Sequence, residues 1–140
     1  MKHLFQKIII PSSVNREILR LGEYGFDLSK FRNSDWIHIQ DPLDLKMEKG
    51  LRDSLDAGGS AAITLAKELN ADYLAIDERA GRRVAKSLGI KIIGLVGILI
   101  RGKEKNQIAA VKPVLDELMS KANFYIGHKF YQQILQELGE

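Results

Sequence analysis

Ala71-Asp-Tyr-Leu-Ala-Ile-Asp-Glu-Arg-Ala-Gly-Arg-Arg83 decides the fold. Tyr73 to Ile76 is apolar without alternation, the pattern of a strand covered on both faces of a parallel sheet. It runs into a basic helix, Glu78 to Leu88, that Gly89 stops. Lys91 to Gly94 follows as a second buried strand, so the stretch reads as one strand-helix-strand unit. In such sheets ligands bind at the carboxyl ends of the strands. Asp77 and Glu78 sit side by side at that end, placed to hold a hard cation or to activate water. Asp77 also fits the cap of a helix beginning at Glu78.

Working outward, strand and helix keep alternating. Lys7 to Ile10 is a β-branched run closed by Pro11, and Ser12 or Ser13 can cap a helix reaching about Gly22, with Val14, Ile18 and Leu21 inward. Glu23 to Ser34 is polar and irregular. Trp36, Ile37 and Ile39 form a short strand ended by Asp41-Pro42, and a helix from Asp44 places Met47, Leu51 and Leu55 on one face. Asp56 stands where the 57–69 helix needs its cap, and Ala62, Leu65, Ala66 and Leu69 give that helix a narrow apolar stripe. Leu95 to Lys103 returns to helix. Pro113 opens another, with Val114, Leu115, Leu118, Met119 and Ala122 at helical spacing. Phe124-Tyr125-Ile126 reads as a strand, and a terminal helix turns Tyr131, Ile134, Leu135 and Leu138 inward. The class is α/β with a mainly parallel sheet, in one domain spanning residues 1–140.

Composition narrows the chemistry. With 140 residues, 45% hydrophobic and 28% charged, the chain has the balance of one soluble domain. The absence of Cys removes disulfides, thiolate catalysis and Cys-ligated zinc, and fits a cytoplasmic location. His3, His38 and His128 have no metal-ligand spacing. Ile90 to Ile100 is too short to cross a bilayer, and Met1 to Gln6 lacks a secretory apolar core. A net charge of +3 permits nucleic-acid binding without requiring it. Arg79, Arg82, Arg83 and Lys86 share one helix face, and Arg101, Lys103, Lys105 and Lys112 add a second basic stretch. These can grip phosphates, or they can be solvated surface. Ala57-Gly-Gly-Ser60 could cradle an anion, but no nucleotide-binding glycine motif accompanies it. The aromatic residues between 124 and 131 can form a dimer surface.

Ile8-Ile-Ile-Pro-Ser-Ser-Val-Asn-Arg-Glu17, Leu55-Asp-Ala-Gly-Gly-Ser-Ala-Ala-Ile63, Tyr73 to Arg83 and Gly94-Leu-Val-Gly-Ile-Leu99 together resemble the PIN-domain family, in order and spacing, over nearly the whole chain. More narrowly, they are similar to the PIN-like proteins related to VapC-type ribonuclease toxins. The resemblance implies a three-layer α/β/α domain whose acidic crevice binds magnesium or manganese and directs water onto an RNA phosphodiester. It matches Glu17 and Asp77 to catalytic, metal-binding acids and leaves Asp56 as a substitute ligand. It also implies RNA and an antitoxin-like protein as partners.

Three departures fall on that crevice. The family's leading strand with its acid has no counterpart before Met1-Lys-His-Leu-Phe. The usual Glu after Leu-Asp-x-Gly is Gly59, and the usual Thr after Gly94 is Leu95. The expected function is therefore nucleic-acid binding with a degenerate metal site and weak or no catalysis. A working endoribonuclease of a toxin-antitoxin system, using Glu17, Asp77, Asp56 or Glu78, is the alternative, and an inert partner-binding remnant is a third. With its middle strand missing, the sheet is expected to close by a register change or to complete itself across a homodimer.

Overall fold

The computed structural model describes residues 1–140 and has the mixed α/β class with parallel strands expected from the sequence. It divides into two compact units. Residues 4–95 with Lys2 form one, and residues 96–140 with Met1 and His3 form the other.

The first unit begins with β1 (Ile8–Ile10) and α1 (Ser12–Arg20). The polar stretch read as irregular contains a 3-10 turn, Leu21–Tyr24, and one helical turn, α2 (Ser29–Arg32). Strand β2 (Ile37–Ile39) leads to α3 (Leu45–Leu51) and α4 (Ala57–Glu68). Then come β3 (Leu74–Ala75), α5 (Arg79–Ser87) and β4 (Ile92–Ile93). Asp44 caps α3 through the Met47 N–H at 2.9 Å, and Asp56 caps α4 through the Gly59 N–H at 2.7 Å. Asn70 and Gly89, both at positive φ, end α4 and α5, each followed by an N–H that reaches back to the last turn (Ala71 to Ala66 and Ile90 to Ala85, both 3.0 Å).

Helix α4 is the packing centre, against α1, α3, α5 and β3. The narrow stripe expected on it is wrong in extent. Gly58, Ser60, Ala61, Ile63, Thr64, Leu65 and Ala66 are all buried, while Leu69 lies at the surface. A helix contacted from several sides buries most of its circumference, and small residues let the neighbours approach. Leu55, Ile63, Ala66, Leu74 and Ala85 form the core between α4, β3 and α5.

The strands form two separate parallel pairs, β1 with β2 and β3 with β4, and no strand joins them. The expected register change that would close the sheet does not occur. Ile8 pairs with Ile37, Ile9 with His38, Leu74 with Ile92 and Ala75 with Ile93. Ladder bonds on β1 use Ile8 and Ile10, so the N–H and C=O of Ile9 point to the opposite, open edge. On β3 they use Leu74 and Ile76, which leaves those of Ala75 facing outward.

The second unit holds α6 from Val96 onward (the helix spans Leu95–Glu104), α7 (Lys112–Lys121) and α8 (His128–Glu137). Val111, Leu115, Ile126, Ile134 and Leu135 are buried. The strand expected at Phe124 to Ile126 is absent. The segment is non-helical, but no neighbouring strand offers it a ladder, and high β-propensity alone makes no sheet. No helix is long and apolar enough to cross a membrane.

Candidate functional site

The two adjacent acids after β3 have different fates. Glu78, not Asp77, caps α5: its carboxylate accepts the N–H groups of Ala80 at 3.1 Å and Gly81 at 3.0 Å. The capping reading of Asp77 is corrected by one residue, because the helix starts at Arg79 and a Glu side chain is long enough to reach back over its own first turn. Asp77 is exposed and makes no hydrogen bond or ion pair.

The space that Asp77 occupies depends on a glycine. A Cβ on Gly94, just past β4, would lie 2.7 Å from Asp77 Oδ1 and 3.5 Å from Arg82 Nη2. Glycine at 94 therefore leaves room for a carboxylate and a guanidinium at the carboxyl ends of β3 and β4. The second acid repeats the arrangement: Glu17 leans over α4, and a Cβ on Gly58 would lie 3.0 Å from Glu17 Oε1. Glu17 is likewise exposed and unpaired. Both glycines belong to the sequence motifs, but nothing in their spacing signals that a carboxylate lies against them.

Asp56 is engaged as the cap of α4, as its position suggested. The donor set thus retains two uncommitted carboxylates, Asp77 and Glu17, and no three carboxylate or imidazole side chains group closely enough to hold a metal ion. Magnesium takes oxygen ligands in near-octahedral geometry. These residues do not fit a complete protein cage for it.

At the ends of the other strand pair, Asp41 binds Ser12, accepting its N–H at 2.8 Å and its hydroxyl at 2.7 and 2.6 Å. The hydroxyl and N–H of Ser12 hold the Asp41 carboxyl below its ordinary range. The cap of α1, expected from Ser12 or Ser13, is in fact this aspartate, 29 residues away.

The basic face is real as geometry. Around α5, Arg79, Arg82, Arg83 and Lys86 occupy one arc, opposite the inward Gly81, Val84, Ala85 and Leu88. None of the four has an ion-pair or hydrogen-bond partner. In the second unit Arg101 is half-buried, and Lys103 donates to the Leu138 carbonyl at 2.8 Å and to Glu140 at 2.9 Å. Lys103 is thus committed to the unit's own structure. A hollow of about 660 Å³ is lined by Leu19, Phe26, Leu28 and Arg32 among others, and includes neither Glu17 nor Asp77.

A family model described as a PIN domain matches residues 1–140. No curated protein and no solved structure gives a match.

Proposed function

The chain belongs to the PIN-domain family, and from that premise we propose that it binds RNA on the basic face of α5 beside Asp77, with phosphodiester hydrolysis weak or lost. The observation that carries this is the contrast on one helix: four cations without partners follow a strand whose acid stands nearly alone. Exposed guanidinium and ammonium groups exchange counterions for phosphates at little structural cost. Hydrolysis asks for more. A metal supplies a sharpened water nucleophile and neutralises charge on the phosphoryl oxygens only where several donors fix it. Asp77, beside Gly94, and Glu17, beside Gly58, are the two acids left without partners, and together they fall short of that donor set.

The second reading, a magnesium- or manganese-dependent endoribonuclease of a toxin-antitoxin pair, is favoured by one fact. Both uncommitted acids rest on glycines that keep space for them. The open edges of β1 and β3 support pairing with a second copy, and the cytoplasm remains the expected compartment of a Cys-free chain.

The test is RNA binding by fluorescence anisotropy across a salt series, alongside cleavage with and without added magnesium or manganese. Four phosphate contacts by α5 predict a log–log salt slope of about −3 on single strands, falling by about 1.4 in the Arg82→Ala, Arg83→Ala double variant. A slope near zero removes the basic face from the function. Metal-dependent cutting that Asp77→Ala abolishes establishes the nuclease instead.

A further inference from the structure

The connection between α7 and α8 has a surface unlike the rest of the chain. Between Glu117 and Glu137 there is no Asp or Glu, while Lys121, His128 and Lys129 alternate with Phe124, Tyr125, Phe130 and Tyr131. Tyr125 is 87% exposed and Phe130 52% exposed. His128 and Lys129 are exposed as well and have no hydrogen-bond or ion-pair partner. Two of the other side chains are accounted for internally: Lys121 pairs with Glu117, and the Tyr131 hydroxyl turns back to Asp116 on α7. What remains outward is two aromatic rings and two basic groups within six residues.

The rings are presented on a fixed support. Asn123 takes a positive φ of 51°, which closes α7, and the Phe124 N–H donates to the Leu118 carbonyl at 3.1 Å. Ile126 is buried at 7% exposure on the other side of Tyr125. Tyr125 is thus held out between two anchors, and Phe130 lies on the first turn of α8. With the backbone fixed on both sides of Tyr125, stacking a planar group on the ring has less chain freedom to remove.

We propose that residues 124–130 form a stacking site for single-stranded nucleic acid, with Tyr125 and Phe130 receiving bases and His128 and Lys129 meeting phosphates. This rests on the reading that the chain binds RNA, and it specifies the form: unpaired bases, since a duplex keeps its faces stacked inside. Charge chooses this occupant over a second copy. A two-fold contact would set Lys129 against itself, and the acids on the adjoining α7, Asp116 and Glu117, are already paired with Lys112 and Lys121.

The experiment uses the full chain and a fluorescein-labelled twelve-nucleotide RNA of mixed sequence, single-stranded and as its duplex. Tyr125→Ala and Phe130→Ala are each expected to weaken single-strand binding about 5- to 150-fold, leaving duplex binding and the salt slope unchanged, because they remove a stacking face and no charge. Lys129→Ala is expected to lower the slope by about 0.7. Circular dichroism matching the parent shows that the variants fold, and Tyr125→Phe, which keeps the ring, is expected to restore affinity. If both alanine variants bind like the parent while Arg83→Ala does not, the stacking site is overturned and the RNA reading stands. If the parent binds no RNA, both fall. If light scattering shows a parent dimer that Tyr125→Ala dissociates, the surface is a protein interface and the proposal is overturned.

Discussion

Glu78→Ala and Asp77→Ala remove neighbouring carboxylates and should have opposite consequences. Glu78 satisfies two of the N–H groups that α5 cannot bond internally, at 3.1 and 3.0 Å. Losing a cap costs about 1 kcal/mol, and losing negative charge at the positive end of the helix dipole adds about 0.5 kcal/mol. At about 1.5 to 2 kcal/mol per molar urea, a loss near 1.5 kcal/mol moves the unfolding midpoint down by about 0.8 to 1 M. Asp77 makes no hydrogen bond and is exposed, so its replacement should stay within about 0.5 kcal/mol. Urea titrations followed by circular dichroism at 222 nm measure both. On RNA the order reverses: Asp77→Ala removes a negative charge beside Arg82 and should tighten binding, most visibly at low salt. An Asp77→Ala variant destabilised as much as Glu78→Ala would refute the division of labour between the two acids.

Four further outcomes are expected. Ser60→Ala should raise stability by up to about 1 kcal/mol in urea titration, because Ser60 Oγ is fully buried without a partner and Ala is the better helix former; a loss larger than that would contradict it. Gly94→Ala should leave the melting temperature within about 2 °C, a shift worth no more than about 1 kcal/mol, yet change RNA affinity, since the new Cβ would turn the Asp77 carboxylate away; a protein that fails to fold would show that the backbone itself cannot accept the side chain. Glu140 accepts the Val111 and Lys112 N–H groups and pairs with Lys103, which hold its carboxyl at about 2 against an ordinary 4.5. A depressed carboxyl stabilises fully above its unfolded value and loses that contribution as pH falls from about 4.5 towards 2, so urea midpoints of Glu140→Gln and parent should differ at pH 6 and converge near pH 2. Ala75→Pro removes an N–H that faces away from β4 and should fold normally, whereas Ile76→Pro breaks the bond from the Ile76 N–H to the Ile93 carbonyl and should not; size-exclusion chromatography with light scattering will report whether Ala75→Pro abolishes self-association at that edge.

What could be read from the sequence was what short-range chemistry decides. The unit from Tyr73 to Gly94 was recognisable because buried parallel strands lack alternation and Gly89 supplies the positive φ that ends a helix. Asp56 announced its cap because it lies three residues before the N–H it accepts, whereas Asp44, read only as a helix start, proves to cap α3 in the same way. Distant partners left no such signal. Asp41 caps α1 from 29 residues away, and Glu140 serves the first turn of α7 from a similar distance. The exchange of roles between Asp77 and Glu78 turned on a one-residue difference in where helical geometry begins, which propensity does not resolve. At Phe124 to Ile126, β-propensity favours a strand, but a strand is defined by its neighbour, and none is there.

The way the strands pair bears on which chemistry this site can support. Asp77 follows a strand of two residues bonded on one side only, with the outward edge at Ala75 open. A metal cage for in-line hydrolysis needs its donors held to within about 0.5 Å, which in turn needs neighbours that lock each carboxylate. Asp77 has a glycine beneath it and no hydrogen-bond donor. Phosphate gripping makes no such demand, because long cationic side chains adjust to the backbone they meet. Arg79, Arg82, Arg83 and Lys86 sit on a helix whose inner face is packed into the core, so their stems are anchored while their heads stay free. A strand paired with β3 along its open edge would stiffen the position of Asp77 without altering that helix. Adding such a strand at Ala75 should therefore affect metal-assisted cleavage, if it is measurable, more than RNA affinity.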